Sequence, residues 1–352
     1  MVTENGLKMK KTVPFLLLGV LIFLAYLHFF IGIPEILATI QNADIVYYGL
    51  AVAALLLNTV TNALTWQYLL RPLAVRVPFR KTFLFTWIGF FVDLLVPAES
   101  ISEDATKAYL MIKQSNENGG KVLASVVSHR IMLMITAAVS LTVSFVWLYV
   151  LQIEVPILVS GLILLIIVGT AVSLFFIFLF SLKEKLAQRL IDILLRFVAF
   201  VTRGRLNIDR LREAAIKALT AFHDSIDILH RNPRSLVVPI FFSVTGWFLS
   251  ILMSYFVFVS LGQHVDFAII VVVHSVSTNI QSVPLGIPGE VGVVDTAMTW
   301  LYTLLAVESA VAAAATVLIR ILWVWLRIAI GLVAVQWIDL KDLAKNLRQD
   351  LF

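Results

Sequence analysis

Residues 91–109 read FVDLLVPAESISEDATKAY, and residues 279–300 read NIQSVPLGIPGEVGVVDTAMTW. In each, an apolar run breaks at Val-Pro, an irregular segment rich in small or acidic residues follows, and a second, shorter helical run begins. Neither is a clean membrane span. Backbone at bilayer depth is irregular only where protein or a water-filled cavity satisfies its polar groups. The two breaks therefore read as halves of one polar site.

Working outward, the rest of the chain is almost all membrane. Of the 352 residues 60% are hydrophobic and 14% charged, and the mean hydropathy is +0.96. No soluble domain of this length hides that much apolar surface. The absence of cysteine excludes disulfides, thiol nucleophiles and Cys-ligated zinc. The basic balance does not point to nucleic acid, because the positive charge follows membrane topology.

Stretches 13–33, 45–70, 121–151, 157–182, 236–261 and 309–337 are long enough to cross a bilayer. Lys8, Lys10 and Lys11 before the first resemble a signal peptide, but an apolar run of ~20 residues has the length of a span. Runs 82–97 and 267–285 are marginal and carry Asp93, His274, Asn279 and Gln281. All but three of the 27 Lys and Arg fall in 8–11, 71–81, 98–121, 183–235 and the tail; connections 34–44, 152–156, 262–266 and 286–308 hold none. Positive charge marks the cytoplasmic side, so both termini are predicted cytoplasmic. Segments 71–81 and 98–121 then lie on the same side, and the stretch between them enters and returns. The second broken stretch does the same from the opposite face.

The expected fold is all-α: six spanning helices plus two re-entrant helical hairpins, in one integral membrane domain. Residues 45–151 and 236–337 form an inverted repeat offset by about 187 to 190 residues, which matches Pro97 to Pro284 and Arg130 to Arg320. Inverted repeats with broken helices at matching positions mark secondary transporters, with the site near the midplane. Between them, 183–235 reads as cytoplasmic amphipathic helices, LAQRLIDILLRFVAFV and then 209–230, separated by Thr202-Arg203-Gly204-Arg205. Such a basic pair most often lies on anionic headgroups, and the tail Lys341 to Arg348 reads the same way.

The three remaining cations, Arg130, Arg320 and Arg327, lie inside spans, where ionisable groups are costly and default to functional candidates. Arg130 is ~14 Å and Arg320 ~17 Å deep at the helical rise. A guanidinium at matching depth in each half suggests a shared phosphate; the alternative is that each pairs with a hairpin carboxylate, Glu103 or Asp104, Glu290 or Asp295. Arg327, one face with Arg320 but nearer the cytoplasm, is expected to snorkel to the inner interface, and Trp323 is placed to stack on either. Gly289 and Gly292 permit a tight turn, and the helix from Val293 would offer free N–H groups to an anion. The helix starting near Ser102 does so from the other hairpin, capped by Ser102, Glu103 or Asp104, and Lys107 follows on it. Asp93 faces the broken turn, for N-capping or an arginine. His129 and His274 read as satisfied packing groups rather than proton carriers. No cofactor or metal is expected. HExxH, GxSxG and P-loop signatures are absent, so no enzyme is expected.

At these residues the chain resembles the lysylphosphatidylglycerol synthase transmembrane region, the flippase-like membrane domain of multiple-peptide-resistance factors, with stand-alone bacterial and archaeal members. The family's second hairpin reads approximately P-G-G-x-G-x-x-E; here Pro288-Gly289-Glu290-Val291-Gly292-Val293-Val294-Asp295 stands in that place. Pro97, Ser102-Glu103 and Lys107 before Tyr109-Leu110 match the first hairpin, and His129-Arg130 and Ile319-Arg320 match the later spans. The resemblance covers roughly 10–340, departs at Ser102, Lys107 and His129, and lacks the soluble aminoacyl-transfer domain. It implies a prokaryotic plasma membrane and translocation of an anionic lipid, a phospholipid or a polyprenyl-phosphate-linked headgroup, rather than lipid aminoacylation. The other readings are a membrane glycosyltransferase of lipid-linked sugar assembly and a small-solute transporter. The partners expected are membrane lipids, with self-association left open.

Overall fold

Proline decides where the first break falls. The residue before a proline is driven out of the α region, and Val96, which precedes Pro97, is extended at φ −100° and ψ 113°. The helix before it accordingly ends at Leu95. The computed structural model describes residues 33–96, 101–115, 117–202, 208–281 and 287–337. The expected first span 13–33, the break at 97–100, Pro284, Arg203 to Arg205 and the basic tail lie outside these residues or at their edge.

The described chain is helical. It runs α1 Ile33–Gln41, α2 Ile45–Leu70, α3 Phe79–Leu95, α4 Ile101–Ser115, α5 Gly119–Val150, α6 Ile157–Leu182, α7 Glu184–Thr202, α8 Ile208–Arg231, α9 Val237–Ser260, α10 Phe267–Gln281, α11 Val293–Leu304, α12 Ser309–Arg320 and α13 Arg327–Gln336. A 3-10 turn, Pro233–Leu236, leads into α9, another, Pro288–Glu290, precedes α11, and a π-helical turn, Ile321–Leu326, joins α12 to α13. Side-chain caps set some of the starts. Asp44 accepts from the amides of Val46 (2.7 Å) and Tyr47 (3.4 Å) at α2, and Asn118 accepts from Gly120 at α5. Each satisfies donors that a helix start leaves open.

Among the described residues five helices are long and apolar enough to cross a membrane: α2, α5, α6, α9 with its 3-10 turn, and α12 through α13. They coincide with five of the six expected spans. The runs at 82–97 and 267–285 become α3 and α10, with 17 and 15 residues. At the helical rise these reach ~26 Å and ~22 Å, short of a ~30 Å core. Each packs against the helix that follows it, α3 on α4 and α10 on α11.

Lipid tails are as apolar as leucine, so close approach and polar ties hold membrane helices together. The α2–α9 pair shows this. A Cβ on Gly246 would stand 2.7 Å from Thr61 Oγ1, and Asn58 donates Nδ2 to the Gly246 carbonyl at 2.7 Å. Ala312, Ala313, Ala314 and Ala315 are fully buried in α12. The hairpin helices cross over: α3 packs on α13, and α10 packs on α5. Gly331 of α13 lies directly against the Phe91 side chain of α3, leaving no room for a Cβ.

Two more helices, α6 and α8, differ in how they are covered. Only Val159, Ser160, Ile163 and Ser181 are buried in α6, so most of it faces the bilayer. α8 differs from the expectation for 183–235: it packs along α5, where a Cβ on Gly120 would collide with the backbone of Ala218 and Phe222. Phe222, Ile226 and Leu229 of α8 join a core cluster with α3, α4 and α5 residues. Part of the apolar face of α8 is therefore covered by this chain's own helices.

Candidate functional site

The two hairpins meet. Gly289 has φ +57°, and a Cβ there would lie 3.5 Å from Leu94 Cδ2 of α3 and 3.5 Å from Val324 Cγ1 of the π turn. Beside this contact opens a cavity of about 580 Å³. Its polar lining includes Asp93, Glu103, Arg130, Glu290, Arg327 and Asn58, and its apolar lining includes Leu133 and Ala137 of α5 and Leu165 and Ile166 of α6. One space thus offers both charged and apolar surface.

Each hairpin is fastened by an ion pair. In the first, Lys107, 2% exposed, donates Nζ to Glu103 Oε1 at 2.7 Å and approaches Asp104 Oδ1 at 3.2 Å. Asp93 Oδ1 accepts from Ser102 Oγ (2.6 Å) and from the Glu103 amide (3.3 Å), tying α3 to the start of α4. The expected cap by Ser102 is corrected here: α4 starts at Ile101, so Ser102 is already inside the helix and Asp93 takes the capping role. In the second hairpin, Arg320, 4% exposed, donates Nε to Asp295 Oδ1 at 3.2 Å and Nη2 to the Gly289 carbonyl. Asp295 Oδ2 also accepts the Gly292 amide at 2.8 Å, with Gly292 at φ +92°. That donor, expected to be free for an anion, is engaged by the helix's own carboxylate.

The arginines divide differently from the sequence expectation. Arg320 is held by its hairpin and is not among the cavity-lining residues. Arg327, expected at the interface, is 6% exposed and lines the cavity. Its guanidinium lies 3.6 Å from the Trp323 ring centroid and 4.2 Å from that of Phe90, and Nη2 donates to Asn58 Oδ1 at 3.3 Å. Its Nε has no hydrogen-bond partner among the described residues. The reason is the π turn between the two arginines, which changes the phase of the helix and turns Trp323 and Arg327 inward. Arg130 lines the same cavity and makes no hydrogen bond or ion pair among the described residues. A partly buried cation with no hydrogen bond or ion pair among the described residues, in the same cavity as a second one stacked between two rings, can bind an anion without breaking any of the described pairs.

The remaining expected residues sort simply. His274 lines the cavity with Nε2 3.2 Å from Ser250 Oγ, edge-on to Trp247 and Trp323. His129 is buried behind the cavity wall, and its Nε2 has no partner among the described residues. Asn279 lines the cavity while donating to the Ser275 carbonyl. Glu290 lines it too, at φ +45°. Among the described residues no group of three or more His, Asp or Glu is placed to hold a metal. Sequence reasoning missed Asn58, Asn62 and Phe90. The two asparagines, four apart in an otherwise apolar span, carried a readable signal: polar residues on one helix face at bilayer depth.

Comparison with known proteins agrees with this architecture. The profile of the Lysylphosphatidylglycerol synthase TM region family matches residues 16–331. A UPF0104 membrane protein of Pyrococcus horikoshii is 27% identical over 304 residues, covering 85% of this chain and 89% of that protein. One of Methanothermobacter thermautotrophicus is 26% identical over 325 residues, covering 89% and 92%. One of Methanocaldococcus jannaschii is 25% identical over 337 residues, covering 93% and 95%. The names of these three relatives state no catalytic activity.

Proposed function

We propose that this chain, which belongs to the lysylphosphatidylglycerol synthase TM region family, binds an anionic lipid by its phosphate and carries the headgroup between leaflets. The observation that carries the reading is one cavity lined both by Arg130 and Arg327 and by apolar residues of α5 and α6. A charged headgroup needs the first set and acyl chains need the second. The exposed outer side of α6 gives those chains a direct route to the bilayer.

In this reading Arg130 meets the phosphate first, because it has no partner to give up among the described residues. Arg327 supplies the second guanidinium, held flat by Trp323 and Phe90. Arg320, Lys107, Ser102, Gly292 and Asp295 hold the two hairpins in place. Glu103 stands where it touches both Lys107 and the cavity, so a bound phosphate and Lys107 compete for neighbouring charge.

Alternating access follows from an inverted repeat of 45–151 and 236–337. The reciprocal packing of α3 on α13 and α10 on α5 supports it, as does the shortness of α3, α4, α10 and α11. The two hairpins are then re-entrant, one from each face, and both chain ends are cytoplasmic.

The test is a dithionite-quench assay in proteoliposomes containing NBD-labelled phosphatidylglycerol. Arg130→Gln and Arg327→Gln should each slow translocation about 10- to 100-fold, the size of a lost charge-assisted hydrogen bond. Arg130→Gln should do so with an unchanged Tm. Rates equal to the wild type in both variants would overturn the assignment. Product formed from lipid phosphate and a sugar donor would move the protein to an enzyme class, and solute flux without labelled lipid would move it to a solute transporter.

A further inference from the structure

One carboxylate lining the cavity makes no hydrogen bond or ion pair among the described residues. Glu290 is 6% exposed, lines the cavity, and its carboxylate makes no hydrogen bond or ion pair among the described residues. Its backbone sits at φ +45°, a conformation that costs a non-glycine residue free energy and points to functional constraint. The turn that holds it touches the end of α3 through Gly289 and Leu94, so Glu290 stands at the seam of the two hairpins. The obvious counter-ion is already engaged: Arg320 donates to Asp295 and to the Gly289 carbonyl.

The charges around it favour the neutral acid. Asp93 of α3 and Asp295 of α11 add negative charge and Arg320 of α12 adds positive charge. Across the cavity stand Glu103 of α4, Arg130 of α5, His274 of α10 and Arg327 of α13; the acids acting on Arg327 are Glu103 and Asp93. Burial, opposed by Arg320 and reinforced by Asp93 and Asp295, pushes the Glu290 carboxyl up to about 7. A hard metal cation would need several oxygen ligands at once, and the nearby Asp93 Oδ1 already accepts from Ser102 and Glu103.

We infer that Glu290 is a proton-binding site of the transport cycle, taking a proton from cavity water onto its carboxylate and returning it to water when the hairpin seam changes access. The inference rests on the lipid-carrying reading. Its chemistry is one proton bound and one released, with no other bond made or broken. The ligand class is a coupling proton, distinct from the phosphate held by Arg130 and Arg327.

The experiment measures NBD-phosphatidylglycerol translocation with equal pH on both sides, stepped through about two units either side of 7. The wild-type rate should follow one titration, Glu290→Gln should give a flat profile whatever its absolute rate, and Glu290→Asp should keep a profile with a displaced midpoint. An inward pH gradient should bias the wild type and not Glu290→Gln. A wild type that translocates lipid but ignores pH, or that follows sodium at fixed pH, overturns the proton site and leaves the lipid reading standing. If no lipid moves, the lipid reading fails, and infrared titration of the purified protein decides the proton site by itself. A protonated-carboxyl band that fades as pH rises through about 7 and is missing from Glu290→Gln supports it; no such band overturns it.

Discussion

The two hairpins solve the same problem with different cations. In the first, Lys107 pairs with Glu103 and Asp104, four and three residues away on its own helix. In the second, Arg320 crosses from α12 to Asp295 on α11, closing 25 residues of chain, and takes the Gly289 carbonyl as well. The second pair is shut away from the cavity, whereas Glu103 of the first forms part of its wall. A guanidinium keeps its charge and forks between two acceptors, while an ammonium is a compact point charge on a flexible stem. The second hairpin is therefore clamped as a scaffold. The first keeps exchangeable charge at the edge of the cavity, which Arg130 also lines. The fastening pair is thus closed off from the cavity in one half and part of its lining in the other.

Substitution of each fastening cation tests that division most severely. Arg320→Met leaves Asp295 buried and alone, which costs about 3–5 kcal/mol; loss of folded protein on size exclusion, or a large fall in Tm, is the expected result. Lys107→Met should cost clearly less, because Glu103 turns to cavity water, and should change lipid translocation more than Tm. Equal Tm losses in the two variants would abolish the contrast. A smaller effect sharpens it: Trp323→Leu removes one face of the Arg327 cage, worth about 0.5–2 kcal/mol. It should lower affinity for phosphatidylglycerol measured by native mass spectrometry while leaving Arg320 and its hairpin intact. The smallest change expected is Asn58→Ala, at about 0.6 kcal/mol for an inter-helix hydrogen bond in a membrane, read as a slight loss of Tm in detergent.

Much of this was legible in the chain. Val96-Pro97 announced the first break, and the apolar run lengths announced α2, α5, α6, α9 and α12 to α13. Of the lone cations at 130, 320 and 327 that stood out in the sequence, the first and last line the cavity and Arg320 does not. The alternative pairing of Arg320 with a hairpin carboxylate was also weighed from sequence, and Asp295 is the partner. What did not follow was which arginine faces the cavity. Counting 3.6 residues per turn places Arg327 almost directly below Arg320, and ILWVWL gives no sign of the π turn that alters that phase. Ser102 was misplaced for a simpler reason. Helix boundaries shift by a residue or two, and one residue separates a cap from a first-turn position. The apolar face of α8 shows a third limit, since an amphipathic pattern reports that a face will be covered but not by what.

Asn58 links these observations. Its amide nitrogen donates to the Gly246 carbonyl of α9 and its amide oxygen accepts from Arg327. With both ends occupied the group cannot flip, and neither end ionises. It therefore works as a fixed spacer between the backbone of one helix and the guanidinium of another, with a length indifferent to acidity and membrane voltage. The position of Arg327 is thereby referenced to α9, and whatever else shifts when the protein works must shift around that mark.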